Sequence, residues 1–171
     1  METWDAISSR RNVREFADRP LSGADLDRIL EAGRRAPSSR NWQPWDFVVV
    51  TDRDRLTELS KVWRGGGHIA ASAATVAFIV AATDDPALRE RARFDIGQAA
   101  MQMMIAAADL GIGSGHSAVG DEALARQLLG FPEDRTCAFL IDFGYPAGRP
   151  LAPIARPDRR AFDEVVHRDR W

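Results

Sequence analysis

Residues 36–47 run Ala36-Pro37-Ser38-Ser39-Arg40-Asn41-Trp42-Gln43-Pro44-Trp45-Asp46-Phe47, after a helical pattern that ends at Arg34-Arg35 and before the apolar run Phe47-Val48-Val49-Val50. The segment is therefore a loop that joins a helix to a strand. Pro37 and Pro44 restrict its backbone, while Ser38, Ser39, Asn41 and Gln43 offer hydroxyl and amide groups that both donate and accept hydrogen bonds. Trp42 and Trp45 flank the second proline. Such a mixture suits a flat, heteroatom-rich ring, whose faces want apolar cover and whose rim wants matched donors and acceptors. A capped helix end with two tryptophans anchored in a core accounts for the same residues, so the loop alone leaves both readings open.

Residues 1–171, 45% hydrophobic and 28% charged, have the composition expected of one ordinary globular domain. A chain of this length can bury a substantial core without staples. The formal net charge of -2 gives no electrostatic case for nucleic acid as the main partner, although local arginine clusters can still bind anions. Cys137 is the only cysteine and sits in an apolar run, which excludes a disulfide framework and a cysteine-rich metal site and suggests a buried, inert thiol. The N-terminal stretch lacks the apolar core of a secretory signal, and the apolar runs are too short or too interrupted to span a bilayer. The expectation is a cytoplasmic protein with no membrane partner.

Near the start, Arg10, Arg11 and Arg14 place three positive charges within five residues. They fit either a solvated face paired with Asp5, Glu15 or Asp18, or a clamp on phosphate through charge-assisted, bidentate bonds. Ser22, with Asp25 three positions on, predicts a helix N-terminus ahead of Leu26, Ile29, Leu30 and Gly33. Strands are expected over 45–51, 73–82 and 136–144, and helices over 52–62, 87–110 and 121–129, the second of these central to the core. Gly65-Gly66-Gly67-His68 predicts a mobile loop. Gly111 to Ser117 predicts a glycine-rich turn ending the central helix, either a plain C-cap or a place where backbone N–H groups approach a ligand. That G-x-G fragment follows a helix, so it meets neither the dinucleotide fingerprint nor a nucleophile elbow. The three histidines, His68, His116 and His167, lie apart without metal-ligand spacing. The tail carries Phe162, Val165, Val166 and Trp171 well beyond the last core strand, where a second subunit is one surface it could cover.

Taken together, SSRRNVREF, PSSRNWQPWDFVVV about thirty residues later, Asp95 with Gly97 and Gln102 before AADLGIGSG, and GYP followed by RRAFDEVVH resemble the FMN-dependent nitroreductase family. The resemblance covers nearly the whole chain. It implies an α+β three-layer sandwich, a central, mostly antiparallel sheet flanked by helices, with the C-terminal segment extending onto the partner subunit of a homodimer. It further implies FMN at the subunit interface, its phosphate and ribityl chain held by Arg10, Arg11 and Arg14 with Asn12 beside them. Ser38, Ser39, Asn41 and Gln43 would line the isoalloxazine ring, Ser114, Gly115, His116 and Ser117 would cross the flavin near its reactive nitrogen, and Arg159 or Arg160 would reach the phosphate. The implied activity is ping-pong transfer of a hydride from NAD(P)H through FMN to a small acceptor such as a nitroaromatic or quinone; the alternatives are a flavin-binding or carrier protein without NAD(P)H turnover, or another flavin chemistry of the family, flavin fragmentation or reductive dehalogenation. Arg40 and Trp42 occupy variable positions of the loop, and the region 63–73 is short for the family. Because the cofactor carries the redox chemistry, no catalytic triad or acid pair is expected.

Overall fold

The computed structural model describes all of residues 1–171. Helix α1 (Thr3–Ser9) leads through an extended segment to α2 (Gly23–Arg34), and the loop quoted above delivers strand β1 (Asp46–Val50). The Ser22 hydroxyl caps α2 by accepting the Asp25 N–H at 3.0 Å. Helix α3 (Arg53–Leu59) and short 3₁₀ segments precede β2 (Ala74–Ala81), and the long α4 (Pro86–Asp109) is followed by β3 (Gly113–Ser117), α5 (Glu122–Leu129) and β4 (Arg135–Gly144). The four strands lie in the order β1-β2-β4-β3, every neighbouring pair antiparallel.

Alternation along the two central strands divides the core into two layers. Val76, Phe78 and Val80 of β2, with Ile141 and Phe143 of β4, meet Ile29 of α2 and Ile96, Ala99, Met103 and Ala107 of α4. On the opposite face Ala77, Ile79, Cys137 and Leu140 meet Leu56, Leu59, Ile69 and Ala125. The result is the α+β three-layer sandwich that the resemblance implies. A bulge between Phe78 and Ile79 leaves Ala138 without a partner and lets Phe139 and Cys137 keep opposite faces. Burial pushes the Cys137 thiol up to about 12, so it stays protonated and inert. Gly33 permits close packing of α2 on α4, since a Cβ there would stand 2.1 Å from Met103 Cε.

Two expectations need correction. The glycine-rich stretch after α4 is more than a turn. Gly111, at φ 72, caps the helix, with its own N–H bonded to the Ala108 carbonyl at 3.0 Å and that of Ile112 to Ala107 at 2.8 Å. The next five residues then form edge strand β3. The triple-glycine segment is likewise more than an irregular loop: Gly66–Ala71 forms a 3₁₀ helix whose His68 and Ile69 are buried.

The glycines of β3 are required by packing. A Cβ on Gly113 would lie 2.6 Å from Val13, and one on Gly115 would lie 2.4 Å from the Asp142 carboxylate and 2.7 Å from the Val13 carbonyl. We therefore expect Gly115→Ala to cost about 1–3 kcal/mol of stability. Urea denaturation should show a lowered midpoint; an unchanged midpoint would contradict the packing described.

Candidate active site

The segment carrying Arg10, Arg11, Asn12 and Arg14 runs along the free edge of β3. Asn12 forms an isolated parallel bridge with Ser114, and the Val13 N–H donates to the Ser114 carbonyl at 2.8 Å. Val13 is buried between them while Asn12 and Arg14 are exposed. The carboxylates expected to pair with these arginines do not: Asp18 approaches Arg53 at 3.8 Å instead, and neither Asp5 nor Glu15 forms an ion pair. Arg10, Arg11 and Arg14 therefore keep uncompensated positive charge. Arg11 donates to the carbonyl of Arg149. Ser9, immediately before them, has a buried hydroxyl with no hydrogen-bond partner.

Of the two candidates in the tail, Arg159 lines a cleft of about 770 Å³ together with Arg10, Trp4, Ile7, Met101 and Ile154. Arg160 turns to Glu164 instead, donating to its carbonyl at 2.9 Å and its carboxylate at 3.4 Å. The main chain ties the tail to α1 where the Ile154 N–H meets the Ser8 carbonyl at 3.1 Å.

The loop 38–43 is fixed from below by Asp95 of α4. This carboxylate is fully buried, accepts the Ser39 N–H at 3.1 and 3.2 Å and meets the Ser39 hydroxyl at 3.5 Å. Above it the Ser38 hydroxyl accepts the Gln43 N–H at 2.8 Å, and the Gln43 side-chain amide donates to Asn41. Arg40, Asn41 and Gln43 take φ values of 54, 57 and 52, a left-handed conformation that costs non-glycine residues energy and persists where surrounding bonds enforce it. No hydrogen bond or ion pair of the chain joins this loop to Arg10, Arg11 or Arg14. Its connection to β3 is through aromatic packing: Trp45 stacks on Phe47, Phe47 meets Phe78, Phe78 meets Phe139, and Phe139 lies 5.2 Å from His116.

Along β3, His116 is exposed, whereas Ser114, Gly115 and Ser117 are buried. The Ser117 hydroxyl turns inward to Asp142 and His68, each at 3.4 Å, and His68 Nδ1 lies 2.6 Å from the Asp142 carboxylate. Sequence reasoning missed this buried Ser117–His68–Asp142 cluster. Its signal was Asp142, a charged residue inside the apolar run Phe139 to Phe143. With Ser117 and Asp142 at 0% exposure the cluster offers no reachable nucleophile. It holds the 3₁₀ helix Gly66–Ala71 against the two strands, each buried polar group satisfying another.

Three layers of helices and antiparallel sheet define an α+β sandwich, and the comparisons with known proteins place it in a family. The Nitroreductase family model matches residues 7–78 and 59–145, and the chain belongs to that family. It is 34% identical over 178 residues to a protein of Archaeoglobus fulgidus provisionally named an NADH dehydrogenase/NAD(P)H nitroreductase, covering 99% of both chains. Among solved structures, an FMN-dependent nitroreductase from Clostridium difficile shares the fold with a TM-score of 0.83 at 24% identity, over 97% of this chain and 98% of that one. An NADPH:FMN oxidoreductase from Vibrio harveyi, complexed with NAD+, gives 0.83 at 24% identity over 97% of this chain and 76% of that one.

Asp95→Ala would remove the only hydrogen-bond acceptor of the Ser39 N–H. A lost partner of this kind costs about 1–3 kcal/mol, and here the cost should fall on the loop. Amide hydrogen exchange over residues 38–43 should accelerate while the sheet stays protected; unchanged exchange in the loop would show that Asp95 does not brace it.

Proposed function

We propose that the chain is an FMN-dependent NAD(P)H oxidoreductase that reduces nitroaromatic, quinone or related small acceptors by a ping-pong mechanism. Residues 1–171 would form one FMN-binding domain, acting in the cytoplasm as a homodimer with the cofactor at the subunit interface. The observation that carries this proposal is the set of three arginines, Arg10, Arg11 and Arg14, laid along β3 with no carboxylate to neutralise them. The names of the relatives support it further, since they speak of NAD(P)H, FMN and nitroreduction.

The donor set suits the cofactor. Arg10 and Arg159 share one cleft and would hold the phosphate, with Arg11, Asn12 and Arg14 beside it and Arg160 free to join only after leaving Glu164. The unpartnered Ser9 hydroxyl lies in the same segment. Ser38, Ser39, Asn41 and Gln43 would offer their remaining donors and acceptors to the ring edge. Ser114, Gly115, His116 and Ser117 would meet it from β3, Ser117 through its main chain because its hydroxyl is engaged with Asp142 and His68. When bound, FMN supplies the two-electron carrier that links oxidation of NAD(P)H to reduction of the acceptor. The residues position and charge the site. Positive charge from the arginine segment stabilises an anionic cofactor, and Asp95 keeps the loop in one geometry so that little reorganisation is needed.

Exposed apolar side chains support the dimer. Leu88, Phe94 and Met101 on α4, Trp4 and Ile7 on α1, and Phe162, Val165, Val166 and Trp171 in the tail all face outward in one chain. No helix of the chain is long and apolar enough to cross a membrane.

Purified protein should release a yellow flavin that migrates as FMN, and the holoprotein should oxidise NADH or NADPH when an acceptor is added; protein that stays colourless in excess FMN would overturn the proposal. Arg14→Ala should weaken FMN binding by about 1.5–3 kcal/mol, roughly ten- to a hundred-fold. Parent-like titration of a folded variant would remove Arg14 from the site. Deleting residues 161–171 should yield monomers that lose FMN together, seen by light scattering and flavin fluorescence on one sample. A truncated, flavin-loaded dimer would show the tail to be dispensable.

A further inference from the structure

We infer that Arg40 and Trp42 select the acceptor, favouring planar aromatic compounds that carry a negative charge, such as a nitroarene bearing a carboxylate. The inference rests on the proposed function, in which the loop 38–43 forms a wall of the flavin site. Its own basis is the way the loop spends its hydrogen bonds.

Ser38, Ser39, Asn41 and Gln43 are largely occupied in bracing the loop. The Ser38 hydroxyl is tied to the Gln43 N–H at 2.8 Å, Ser39 is bound to Asp95 through its N–H at 3.1 Å, and the Gln43 amide is spent on the Asn41 carbonyl at 3.2 Å and side-chain oxygen at 3.1 Å. These bonds hold Arg40, Asn41 and Gln43 in the left-handed region. Backbone so constrained is found where a structure must aim particular groups. The groups left for aiming are Arg40 and Trp42. Arg40 is exposed and takes part in no hydrogen bond or ion pair. Trp42, in ordinary helical conformation between the strained residues, is 41% exposed, and its indole N–H is unpaired.

A guanidinium offers two parallel donors that match a carboxylate, while an indole offers an apolar face and an edge donor. Two residues apart on a braced loop, they can meet the charged substituent and the ring of one small acceptor. A neutral acceptor would use the indole alone.

The test compares para-nitrobenzoate with para-nitrobenzamide as acceptors for the holoprotein, with flavin content measured for every variant. In Arg40→Gln the ratio of kcat/KM for the anionic over the neutral acceptor should fall about ten- to a hundred-fold, and Arg40→Lys should recover part of it. Benzoate, which cannot be reduced, gives an independent binding readout: its affinity, followed by flavin fluorescence, should fall by a similar factor in Arg40→Gln, and Trp42→Ala should weaken benzoate and benzamide alike. Holoproteins that reduce both acceptors with the same ratio in wild type and Arg40→Gln would overturn the inference and leave the proposed function standing. Protein that binds no flavin and reduces neither acceptor would overturn both.

Discussion

The segment from Arg10 to Arg14 crosses strand β3 so closely that no side chain fits between them at Gly113 or Gly115. Much of the candidate site depends on that contact. It closes the edge of the sheet, which would otherwise offer unpaired backbone groups, and it fixes three arginines beside the strand that carries His116. The same absence of a Cβ at Gly115 leaves room for the Asp142 carboxylate, whose partner His68 ties in the 3₁₀ helix. A buried aspartate with one histidine and one serine around it is costly to leave half satisfied, so the three residues act as one unit.

Where the chain's own short-range chemistry decides the structure, the sequence was informative. Ser22 and Asp25 marked the start of α2, the apolar runs marked β1, β2 and β4, and the Ala- and Met-rich stretch marked α4. Strand β3 was hidden because Gly, Ser, Gly, His and Ser carry no apolar alternation; its strand character comes from β4 and from Val13, about a hundred residues away in the chain. The triple glycine misled for a related reason. Local flexibility is what glycine contributes in isolation, but Gly66 is buried and His68 is anchored by a residue of β4 that no local pattern connects to it.

The candidate residues were legible by type more than by role. The amide and hydroxyl groups of the loop stood out, yet the same groups that can line a ring can also brace a backbone, and only coordinates separate the two uses. Asp95 is the counterpart: the one fully buried carboxylate of α4, at the start of its Ala- and Met-rich half, and in the structure the anchor of Ser39. Among the arginines, composition alone could not divide Arg159, which shares a cleft with Arg10, from Arg160, which is held by Glu164.

One chain by itself leaves the arginine segment and the amide loop without a bond between them, and it leaves Trp171 97% exposed at the end of a tail that buries none of its large apolar side chains. The proposed dimer would resolve both features, placing one chain's arginines near its partner's loop and covering the tail. The most direct measurement is native mass spectrometry of the purified protein. The account predicts a species of two chains carrying two FMN molecules, with flavin lost as the chains separate. Single chains that keep FMN, or a two-chain species that takes up none from excess cofactor, would contradict it.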